Sequence, residues 1–105
     1  MKRSPVIALL VLFFVLNSPL SSAAPDYAKW GIVAVKATQQ RYDADIVDYK
    51  HIGRTQIQPG LAEEKFRLWV RSRSGQEFGV IVRIRFDPSA DQLKSILFTE
   101  TNRRR

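Results

Sequence analysis

Two runs in the second half of the chain alternate strictly between apolar and polar residues, and a half-buried antiparallel sheet is the structure that fits them. Phe66, Leu68 and Val70 alternate with Lys65, Arg67, Trp69 and Arg71, while Phe78, Val80, Val82, Ile84 and Phe86 alternate with Glu77, Gly79, Ile81, Arg83 and Arg85. A period of two sends the two sets to opposite faces of a strand. Ser74-Gly75 between the runs predicts a hairpin, and matching buried face to buried face requires paired residue numbers with an even sum. A sum of 148 makes Arg73-Ser74-Gly75 the loop, with Gly75 at the left-handed position of a G1-bulge turn. It also sets Arg71 opposite Glu77 and Trp69 over Gly79, whereas a sum of 150 would oppose Arg67 to Arg83. The register of 148 is expected.

Upstream, the period is helical. Asp26 stands where an N-cap would, and Tyr27 to Tyr42 places Trp30, Val33, Ala34 and Ala37 on one stripe, flanked by Ile32 and Val35. Gly31 inside this helix is tolerable if it lets the helix approach a sheet closely. From Asp43 the period changes to two, with Val47, Tyr49, His51, Thr55 and Ile57 alternating with polar positions and Gly53 suggesting a bulge or a bend. Gln58-Pro59-Gly60 reads as a type II turn. Asp87 to Asp91 forms another turn, followed by a last strand through Leu93, Ile96, Phe98 and Thr99, and then a frayed polar tail. The expected fold class is α+β: one N-terminal helix packed on a four-stranded antiparallel meander sheet, in two layers.

The first residues have a different character. Lys2 and Arg3, the apolar run Val6 to Leu16 and the small residues Ser21-Ser22-Ala23 have the form of a signal peptide cleaved after Ala23. Eleven apolar residues are fewer than the roughly 20 a membrane-spanning helix needs, so the mature form is expected without a transmembrane segment, secreted or associated with the cell envelope. The division is therefore 1–23 signal peptide, 24–102 a single domain and 103–105 a basic tail. No cysteine is present, which excludes disulfides, thiol chemistry and thiolate metal sites. Without Lys2 and Arg3 the chain has 15 basic and 10 acidic residues, and Arg103 to Arg105 supply three of the net five charges. A body so mildly cationic argues against nucleic acid as partner.

The segments Lys29-Trp30 through Arg41-Tyr42, Phe66-Arg67-Leu68-Trp69-Val70-Arg71, Glu77-Phe78-Gly79-Val80 and Phe86-Asp87 resemble a family of small exported proteins of bacilli classed as a domain of unknown function. The resemblance covers nearly the whole mature chain and implies no particular activity. Asp43 stands where the family pattern has Pro. In architecture the chain is also similar to PepSY-type and cystatin-type domains, one helix crossing an antiparallel sheet. The PepSY resemblance implies inhibition or restraint of an extracellular peptidase. The cystatin inhibitory motif is not matched by Gln56-Ile57-Gln58-Pro59-Gly60.

No set of residues reads as a catalytic centre, and the chain is expected to be a binding domain, not an enzyme, with no cofactor and no metal. His51 is the one histidine and stands on a strand, away from any nucleophile-elbow serine. The acidic pairs Asp45/Asp48 and Glu63/Glu64 lack the loop spacing of a calcium site and read as solvated charge. The candidate binding residues are Lys65, Arg67, Trp69, Arg71, Arg83 and Arg85, a basic stripe around one aromatic on the outer sheet face, shared with Ile81. Two partners suit such a domain. One is an extracellular protein or peptidase engaged through the sheet or a free edge strand; the other is an anionic cell-envelope polymer or lipid head group held by the basic face. The same basic residues also serve simply to keep a sheet soluble.

Overall fold

A computed structural model describes residues 26–104. The signal-peptide reading of residues 1–23 lies outside the described residues, as does Arg105 of the basic tail. Helix α1 (Ala28–Tyr42) is followed by β1 (Ala44–Gln58), β2 (Leu61–Ser72), β3 (Glu77–Asp87) and β4 (Gln92–Thr101). The strands form one antiparallel sheet in the order β1-β2-β3-β4, so β1 and β4 are its edges. The α+β meander with one helix across it is the architecture the periodicities predict.

The central hairpin adopts the register of 148 throughout, from Ala62 opposite Phe86 to Arg71 opposite Glu77. Gly75 has φ +91, its N–H bonds to Ser72 O at 2.9 Å, and the Ser72 N–H bonds to Gln76 O at 2.8 Å. Phe66, Leu68, Val70, Val80, Val82 and Ile84 are fully buried between sheet and helix. Trp30 stacks on Phe86 with ring centroids 4.6 Å apart, and Tyr42 meets Phe78 and Phe98 edge-on. Such burial supplies the main favourable free energy of a domain this small, about 1.5–3 kcal/mol for each large apolar side chain.

The helix departs from expectation at its start. Asp26 does not cap it: Tyr27 occupies the N-cap position in a helical conformation (φ −75, ψ −11), makes no side-chain cap, and stacks its ring on His51. The buried line is Trp30, Gly31, Ala34 and Thr38, not Trp30, Val33, Ala34 and Ala37. Thr38 can sit there because its Oγ1 donates to Ala34 O at 2.7 Å, which satisfies the hydroxyl inside the helix. Asp43 ends the helix in the left-handed region (φ 50).

Strand β1 also corrects the sequence reading. Its pairing with β2 slips three times, skipping Val47, Ile52 and Ile57. Each slip is a bulge that reverses the alternation, so Tyr49 and His51 stay on the helix side opposite Leu68 and Phe66, while Thr55 falls opposite Glu63 on the outer side. The bulge expected near Gly53 is one of the three. In β4 a slip past Lys94 brings Leu93, Ile96 and Phe98 opposite Phe86, Ile84 and Val82, which accounts for their irregular spacing; Thr99 pairs with Ile81 on the other face.

Candidate functional site

The six residues of the predicted basic stripe do share one face. Lys65, Arg67, Trp69 and Arg71 of β2 lie beside Arg83 and Arg85 of β3, with Lys65 directly opposite Arg83. The same face carries the acids that neutralise half of them. Glu63 is buried there, accepts a hydrogen bond from Arg85 Nε at 3.0 Å and lies 3.9 Å from Arg83 Nε. Glu77 Oε2 accepts from Arg71 Nε and Nη2 at 3.0 and 2.9 Å, while its Oε1 takes the Trp69 indole N–H at 2.7 Å. These bonds, the indole's foremost, hold the Glu77 carboxyl below its usual range.

Strand β4 runs to Thr101, the first residue of the expected polar tail, and the Arg104 guanidinium lies 5.2 Å from the Trp69 ring centroid. Trp69 is thereby held at its edge by Glu77 and covered on its face by a cation. Among the described residues, Lys65 and Arg67 make no ion pair, and β1 adds Lys50 directly opposite Arg67. The Arg67 Nε is buried without an acceptor. Alternation in β1 already sets Lys50 among the polar positions, but which β2 residue it meets depends on the β1–β2 register, and only that register brings it beside Arg67.

On the opposite face the sequence reading of Glu63/Glu64 as solvated charge is overturned. The two point to opposite faces, as adjacent strand residues must, but both are buried. Glu64 accepts a hydrogen bond from Arg54 Nε at 2.5 Å and shares a second, 2.6 Å, with His51 Nε2. A carboxylate among Phe66, Ile84 and the helix is tolerable only because both oxygens are met by such donors. The His51 ring stacks on Tyr27 at 3.6 Å between centroids and 8° between planes. Both its Nε2 and one ring face are thus engaged within the fold.

The second surface is a groove of about 500 Å³ between α1 and β1, which sequence reasoning missed. Gly31, Ile32, Val35, Lys36 and Gln39 of the helix form one wall and Tyr49 of β1 the other, with Tyr27 and Ala28 at the end. Gly31 permits this approach: a Cβ there would collide with the Tyr49 hydroxyl. Burial raises the Tyr49 pKa, with smaller contributions from Tyr27 and Glu64. The available signal was the width of the helix's apolar arc, since Ile32 lies outside the stripe that packs on the sheet and Val35, half-buried against the core, stands at its margin. Ile32 is 59% exposed.

The family described as "Protein of unknown function (DUF3889)" matches residues 9–100. No curated protein and no solved structure matches the chain.

Proposed function

The chain belongs to the DUF3889 family, and from that premise we propose that it is a non-enzymatic binding domain that works outside the cytoplasm on a protein partner. The observation that carries this reading is the apolar groove beside the free edge of β1, a concave surface with two tyrosines and one cation among its lining groups. Commitment of the only histidine to Glu64 and Tyr27 supports a role in binding over catalysis. The resemblance to small exported proteins of bacilli supports the extracytoplasmic setting. The likeness to PepSY-type domains makes restraint of a peptidase the most concrete form of the reading, by fold analogy. No helix among the described residues is long and apolar enough to cross a membrane.

A second reading, retention by an anionic envelope polymer, is favoured by one observation. Lys50, Lys65 and Arg67 adjoin and make no ion pair among the described residues, and Arg67 Nε lacks an acceptor there. Pull-down of envelope and culture-fluid proteins with the mature domain, at low and high salt, separates the two. A captured protein that survives high salt supports the first reading. Capture only of anionic polymer, released by salt, replaces it with the second, since exposed charge attraction is screened within about 8–10 Å near physiological ionic strength.

A further inference from the structure

We propose that the α1/β1 groove and the adjoining free edge of β1 form a single site, which takes an extended peptide segment carrying an apolar side chain next to a carboxylate. This deepens the protein-binding reading and rests on it.

Helix α1 is apolar on more than the face it spends on the sheet. Trp30, Ala34 and Thr38 pack inward, whereas Ala28, Ile32, Val35 and Gln39, spaced by four, three and four residues, line the groove. No residue of β2, β3 or β4 lines it, which puts the groove on the open side of β1. A strand added to that edge would run beneath Ile32 and Val35 and extend the sheet under the part of the helix that has none.

The bulges determine how long such an addition can be. Val47 and Ile52 each interrupt the ladder, leaving Asp48 to His51 as a regular run between them. Bulges on an edge strand oppose indiscriminate pairing, so the edge is closed to long strands and open to a short one. Within the run, the Tyr49 N–H is met by Asp48 Oδ1 at 2.8 Å, an acceptor outside the ladder, in the role a partner strand's carbonyl would assume. A short strand turns alternate side chains towards the helix, and the groove is apolar enough to receive them.

Charge selects the rest of the partner. Among the described residues, Lys36 is the only charged group lining the groove, and it makes no ion pair there. A carboxylate one residue from the buried apolar side chain complements it.

The test uses synthetic peptides in which Leu alternates with Thr and one end carries Glu, Gln or Lys, titrated into the isotopically labelled mature domain. The Glu peptide is expected to shift the amides of Ile32, Val35, Lys36 and Asp48 to His51, and to bind roughly 3- to 10-fold more tightly than the Lys peptide. Lys36→Glu should invert that order. Ile32→Glu should abolish binding without changing thermal unfolding, because the side chain it replaces is exposed. Absence of binding by every peptide, or shifts confined to Arg67, Trp69 and their neighbours, would overturn this site. So would concentration-dependent self-association removed by Ile32→Glu, which would make a second copy the occupant. If a salt-resistant protein is still captured and Ile32→Glu does not disturb it, only this site fails; if nothing is captured either, the protein-binding reading fails with it.

Discussion

Glu64 and Arg54 meet on the helix-facing side of the β1–β2 hairpin, with Arg54 Nε 2.5 Å from Glu64 Oε2; the carboxylate is almost wholly buried and the guanidinium is not. The asymmetry makes the carboxylate the vulnerable partner. Arg54→Met leaves it dependent on His51 alone and should destabilise the domain by about 1–3 kcal/mol in urea unfolding. The double change Arg54→Met with Glu64→Leu should be less damaging than Arg54→Met alone, because the penalty comes from a buried charge left unpaired more than from the value of the pair. Additive losses would contradict this.

Leu68 is fully buried at the centre of the sheet beneath the helix. Leu68→Ala should lower stability by about 2–5 kcal/mol, a large share of the roughly 5–15 kcal/mol that holds a domain together. Thermal unfolding followed by circular dichroism measures it, and an unchanged midpoint would refute the packing described.

Gly79 lies under the end of β4, where a Cβ would stand 2.8 Å from Thr101 Cγ2 and 3.0 Å from the Thr101 carbonyl oxygen. The main-chain oxygen cannot swing aside, so Gly79→Ala should loosen this end of the sheet by about 1–3 kcal/mol. Faster amide exchange at Thr101 and a changed Trp69 fluorescence, as Arg104 loses its seat, are the expected signs.

Acid should weaken the outer face in a definite window. The carboxyls of Glu77 and Asp87 have lowered pKa values, Glu77 first through Trp69 and then Arg71, and Asp87 through the Ser89 hydroxyl and the Ser89 and Ala90 N–H groups. The folded state therefore binds fewer protons than the unfolded one just below the ordinary carboxylate pKa of about 4. Their stabilisation is present above that value and disappears as pH falls through the depressed folded values. Glu77→Gln should flatten the acid limb of a stability-against-pH curve, and an unaltered slope would refute the assignment.

Legibility in the sequence followed the regularity of the ladder. The β2–β3 hairpin could be read to the exact register, since its two apolar sets are uninterrupted and a one-residue slip would expose all of them. The basic stripe was legible for the same reason. Its neutralisation was legible only at Arg71, which the register sets against Glu77; Glu63 reads as one of two solvated acids until the fold buries it against Arg85. Strand β1 was only half legible: alternation sorted Tyr49, Lys50 and His51, but three bulges break its period, so Thr55 falls on the outer side and Val47 and Ile57 drop out of the ladder.

The sequence by itself determined the fold class, the presence of the helix, the central hairpin and the core residues of its two strands, because those follow from local period and from the free energy of burying apolar faces. Tertiary structure alone decided that Glu64 is buried against His51 and Arg54, that Arg104 covers Trp69, and that the helix keeps a second apolar wall open beside β1. Each depends on which residues distant in sequence come within a few ångströms, and contacts of that kind, unlike periodicity, are set by how the elements pack on one another.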